Sequence, residues 1–112
     1  MKLTRAMALV TGAALLPGLA GAETMRSETM EADLTRRAVA LSSKEGDTIR
    51  AEQVNVTLRR RDGQPIGAGE VESYVPIAER AACKGRKVLV SVIVGASEGA
   101  GRFDVLCAAG GE

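Results

Sequence analysis

The sequence predicts a mainly β fold, a small antiparallel β-sandwich or single sheet, with α+β as the alternative. Three observations point there. Val54, Val56 and Leu58 alternate with Asn55, Thr57 and Arg59 at period two. Val88–Val94 is a continuous run dominated by branched side chains. Downstream of residue 22 there are ten Val and four Ile against five Leu, a bias toward sheet over helix bundle. A length of 112 residues with 46% hydrophobic and 26% charged side chains suits one small folded domain, not a disordered tail.

The N-terminus precedes that domain. Lys2 and Arg5 lead into an apolar run, Ala6–Leu16, which Pro17-Gly18 breaks before Ala20-Gly21-Ala22. A positive start, a short apolar core and small residues at the exit predict a secretory signal over 1–22, cut after Ala22 or, as a second choice, after Ala20. The apolar run is too short for a spanning helix, which needs about 20 residues. The expectation is a periplasmic or secreted protein with no membrane span. Removing Lys2 and Arg5 leaves 13 basic and 14 acidic side chains, a net charge of −1. That balance offers no steering toward nucleic acid.

Within the exported part, 23–33 is polar and reads as a flexible N-terminal arm, with the β-rich domain over 34–109. Residues 30–43 read both ways. Met30, Leu34, Ala38 and Leu41 recur at helical spacing, whereas Arg37, Val39 and Leu41 alternate; the balance tips to a strand over 35–43. Lys44-Glu45-Gly46-Asp47 turns the chain into the Val54–Leu58 strand, and Asp62-Gly63 ends that strand. Pro65 lacks a backbone donor and belongs at an edge or a strand start. Glu70–Val75 alternates and is expected to return as the antiparallel partner. Pro76–Lys84, proline-led, alanine-rich and stopped by Gly85, reads as one short helix or an irregular crossover. Val88–Val94, apolar on both faces, is expected at the centre of the sheet. Gly95–Gly101 reads as a flexible connection, Phe103–Ala108 as the last strand and Gly110-Gly111 as a frayed tail.

The stretch from Gly46 through Val54-Asn55-Val56-Thr57-Leu58 to Asp62-Gly63-Gln64-Pro65-Ile66 resembles part of a bacterial immunoglobulin-like module. In such modules a V-x-V-x-L strand runs into a D-x-x-G-x-P-[IV] turn and a second strand, which Val71 would open here. The match covers about 25 residues, 46–71, and the chain departs from the pattern over 78–87. The resemblance implies a β-sandwich with an adhesive, structural or binding role, and it carries over no site residues.

Chemistry-bearing residues are sparse. Cys83 and Cys107 lie 24 apart and, in an exported chain, are expected to form a structural disulfide. They are too far apart for a C-x-x-C redox pair, and no histidine is present to complete a metal site. Without histidine, Ser-His-Asp and Cys-His nucleophile sites cannot be built. Ser43 and Lys44 are neighbours on a turn, a poor start for a dyad, and Tyr74 and Phe103 are the sole aromatic platforms for a sugar. Gly67-Ala68-Gly69 lacks the rest of a dinucleotide fingerprint. We therefore expect no enzyme and no cofactor.

Two basic runs are the candidate anion site: Arg59, Arg60 and Arg61, and Lys84, Arg86 and Lys87. Each also reads as a solvated strand end or turn, and the anion reading gains only if the two meet. Ser97, Glu98 and Arg102 mark a candidate binding loop. The resulting expectation is a secreted or periplasmic, non-enzymatic binding or accessory protein whose partner is another envelope or secreted protein. The alternative is an inhibitor of an extracytoplasmic hydrolase that presents residues 96–102.

Overall fold

The computed structural model describes residues 19–109. Five antiparallel strands form one sheet: β1 (Leu19–Arg26), β2 (Met30–Ser42), β3 (Thr48–Arg60), β4 (Val88–Ser97) and β5 (Ala100–Ala108). Their spatial order is β1-β2-β3-β5-β4. Between β3 and β4 the chain makes a 3-10 turn (Val71–Tyr74) that runs into the helix α1 (Val75–Cys83). The fold is mainly β. Of the two arrangements left open, the single sheet is the one formed, with one helical layer on one face.

Alternation decides which side chains that layer covers. Ala32 and Leu34 of β2, Val54, Val56 and Leu58 of β3, and Phe103, Val105 and Cys107 of β5 share one face and are buried. Ala78, Ala82 and Cys83 of α1 close over them, with Ile66 and Val71 from the crossover. Alanines on the inner side of α1 let a short helix lie close to the sheet. Gly101 matters for the same reason. A β-carbon there would come within 3.1 Å of Val71 Cγ2 and 3.2 Å of the Phe103 ring, so a side chain would displace the crossover.

The helix begins as the sequence suggests, with Pro76 in its first turn, where a missing N–H costs nothing. It ends at Lys84, whose left-handed φ of 53° lets its N–H bond to the Arg80 carbonyl at 3.0 Å. The Cys83–Cys107 disulfide then fastens the end of α1 to β5. Both cysteines are buried.

Several expectations change. The segment 23–33, expected as a loose arm, carries the end of β1 and the start of β2. β1 shows little apolar alternation, and at the start of β2 the alternation of Met30, Ala32 and Leu34 with Glu31 and Asp33 coincides with a helical spacing of Met30 and Leu34. Val71–Val75 is the 3-10 turn and helix entry, not a returning strand. Pro76 favours helical φ just where the apolar spacing of Val71 and Val75 fits a helical turn as well as a strand. Val88–Val94 lies at the edge of the sheet, not its centre. Gly95–Gly101 is not a flexible connection, because β4 and β5 run through it. The predicted signal over 1–22 lies outside the described residues up to Gly18. Leu19–Ala22 opens β1, whose regular pairing with β2 starts at Ala22 opposite Thr35. The Gly110-Gly111 tail also lies outside the described residues. No helix among the described residues is long and apolar enough to cross a membrane.

Candidate functional site

The two basic runs do not converge. Arg59 and Arg60 end β3, whereas Lys84–Lys87 lies beside Glu52 and Ala108, eight residues back along the same strand. At strand rise this is about 27 Å. Most of these cations are already engaged. Arg59 Nη1 donates to Asp33 at 3.3 Å, Arg60 pairs with Asp62, and Arg61 Nη1 donates to the Ser27 carbonyl at 2.8 Å. At the other end Lys84 Nζ reaches Glu23 at 3.0 Å, and Arg86 reaches Glu52 at 2.7 Å. The observed geometry gives no composite anion site.

The second basic run does belong to a structural network that the sequence concealed. Arg36 is only 8% exposed. Its Nε donates to Glu23 at 2.9 Å, and its Nη1 donates to Glu52 at 3.0 Å and to the Ala82 carbonyl at 2.8 Å. Arg86 adds donors to the carbonyls of Cys83 and Ala108, each at 3.1 Å. Guanidinium groups thus satisfy carbonyls at the C-terminal end of α1, where the helix dipole favours cations. Hydrogen bonds from Arg36 and Lys84 hold the Glu23 carboxyl below its ordinary pKa. Burial pushes the Glu52 carboxyl up, but Arg86 and Arg36 more than reverse that, and it too lies low. This is an ionic clasp across β1, β2, β3 and α1.

The candidate loop is a tight hairpin. Glu98 (φ 54°) and Gly99 (φ 80°) are both left-handed, as a two-residue turn between twisted strands requires. Ser97 Oγ accepts from Arg102 Nε at 2.9 Å and Arg102 Nη2 lies 3.6 Å from Glu98 Oε1, so all three candidate loop residues tie the turn to itself. The Gly99 carbonyl accepts from the Ile66 N–H at 3.0 Å, which pins the tip to the crossover.

Tyr74 and Phe103 do not form a platform. Phe103 is core, and Tyr74 lines a shallow groove of about 600 Å³ with Met30, Arg60 and Ile77. In the groove Arg60 pairs with Asp62, and Arg61 donates to the Ser27 carbonyl.

What remains unsatisfied is an edge. β4 pairs with β5 on one side only, so its other row of N–H and C=O groups faces outward. Val90 and Val92 are 50% exposed, Ile93 39% and Val94 59%. Val90 and Val92 stand on the uncovered face beside Leu106 and Asp104, while Ser91 and Ile93 stand on the helix side beside Val105 and Phe103. Ser91 Oγ donates to Glu79 of α1, which anchors the strand from behind. Extra residues on β4, Leu89 and Val94, bulge at either end of a regular stretch, Val90–Ile93. The run of branched residues was visible in the sequence; its exposure depends on strand order, which local pattern does not encode. No family model, curated protein or solved structure matches the chain.

Proposed function

We propose that the protein is an extracytoplasmic, non-enzymatic binding module that recognises a protein partner by strand addition along β4. The observation that carries this reading is the uncharged, outward-facing edge Val88–Ser97 with four exposed aliphatic side chains. Natural sheets usually protect such an edge with charge, proline or a covering segment. An edge left open at its middle suits a partner that supplies an extended segment. Backbone hydrogen bonds then give affinity, and alternate side chains beside Val90 and Val92 give selectivity. A location outside the cytoplasm is supported by the buried disulfide and by the leader-like N-terminus.

The experiment is site-specific photo-crosslinking in intact cells, with the probe at Val92 and, as a control, at Thr57 on the same face of β3. The expected result is a discrete covalent adduct from position 92, absent from position 57, in the extracytoplasmic fraction. Equal labelling from both positions, or none from either, overturns the reading.

A further inference from the structure

We infer that the partner at β4 is a second copy of this chain, and that two sheets join through antiparallel β4–β4 pairing about Val92. This rests on the strand-addition reading and names its occupant. The argument starts from the strand itself. Residues 90–94 read Val-Ser-Val-Ile-Val. A two-fold axis perpendicular to the sheet and passing between two Val92 residues sets Val92 opposite Val92 and Ser91 opposite Ile93 of the other copy, within the regular stretch Val90–Ile93. Residues directly opposite each other in an antiparallel pair share a face. The uncovered face of the joint therefore gathers Val90 and Val92 of both copies, while both α1 helices remain on the other face.

Charge is consistent with a self-partner. Val88–Ser97 contains no ionisable side chain, so strand residues set opposite one another across the axis carry no like charges. A strand specialised for a different, charged partner would be expected to carry the complementary charge, and this one carries none.

The same geometry stops the assembly at two. An isologous contact uses β4 of both copies and leaves β1 at each outer edge. β1 carries Glu23 and Arg26, engaged with Arg36, Lys84 and Glu31, and is a poor template for a further strand. The bulges at Leu89 and Val94 bend β4 at both ends and keep the regular pairing short. An interface this small lies below the standard size for stable complexes, so the dimer is expected to be weak, with a Kd of about 10–100 µM.

The test is sedimentation equilibrium of the purified mature protein, of Val92→Lys, of Val92→Glu and of their equimolar mixture, with thermal melting to verify folding. Wild type should pass from monomer to dimer over the stated range. Each single variant should remain monomeric with an unchanged melting curve, because like charges then face each other. The mixture should regain the dimer, because Lys then faces Glu. Val90→Lys is a second disrupting variant, should either substitution at 92 impair folding. A wild type still monomeric at about 1 mM, ten times the weakest expected Kd, or a Val92→Lys chain that dimerises like wild type, overturns the inference. A monomeric wild type that nevertheless crosslinks from position 92 to a different protein rejects self-pairing and leaves strand addition standing. A monomer with no adduct rejects both.

Discussion

β1 and β4 are both edge strands of the same sheet, but they meet solvent in different ways. β1 is laced down by charge: Glu23 is held by Arg36 and Lys84, Arg26 by Glu31, and Thr24 Oγ1 donates to Asp33 at 2.9 Å. β4 has no charge in ten residues and is secured from behind, by the core, by the Ser91–Glu79 hydrogen bond and by the disulfide next to it in β5. Val88 stands directly opposite Cys107, so the covalent link supports the strand whose outer side is bare. One edge spends its polar groups on closure, and the other leaves its backbone row free. A protein that had only to remain monomeric would gain from protecting both.

The largest perturbation should fall on the β4 side. Replacing Cys83 and Cys107 together by serine releases a loop of 24-residue separation. The chain-entropy estimate is a loss of about 3.5 kcal/mol. A urea midpoint that does not move would break the claim that the disulfide carries this half of the fold. Arg36→Ala attacks the β1 side. It leaves the Ala82 carbonyl without its donor, removes one of the two cations that hold each of Glu23 and Glu52, and should cost about 2–3 kcal/mol in the same assay.

Acid should loosen the β1 side next. Glu23 and Glu52 titrate lower in the folded protein than in the unfolded chain. Their contribution is therefore present in full above the ordinary glutamate pKa and is lost as pH falls through the lower folded values. The melting temperature should drop as pH is taken below about 4.5, and less steeply in a Glu23→Gln, Glu52→Gln double variant. An identical acid limb in that variant would remove the clasp from the account. The smallest effect on stability belongs to the exposed edges. Val92→Lys and Thr24→Lys should each stay within about 0.5 kcal/mol of wild type. They should differ in association, which Val92→Lys abolishes and Thr24→Lys leaves intact.

How far the sequence could be read follows the range of the interactions involved. β3 was legible from Val54, Val56 and Leu58, the last strand from Phe103, Val105 and Cys107, and the helix from Pro76 and Gly85, because each signal is local. The disulfide was legible because two cysteines admit one intrachain pairing. β4 was legible as a strand and misplaced at the centre, since apolar residues on both faces usually signal burial on both faces; here Val90 and Val92 face solvent instead. The polar β1 was missed because it shows little apolar alternation, and the start of β2 was missed because Met30 and Leu34, which alternate with Glu31 and Asp33, also fit helical spacing. Arg36 carried no local signal at all. Its partners Glu23, Glu52 and Ala82 lie 13, 16 and 46 residues away, and only the folded sheet brings them to one guanidinium.

Hydrogen–deuterium exchange at two protein concentrations, below and above the expected Kd, tests the open edge most directly. The amides of Val90–Val94 that point away from β5 should exchange quickly in the dilute sample and gain protection in the concentrated one, while β1 amides keep the same rates in both. Rates in Val90–Val94 that do not depend on concentration, or protection that appears at β1 instead, would contradict the assignment of β4 as the surface where two chains meet.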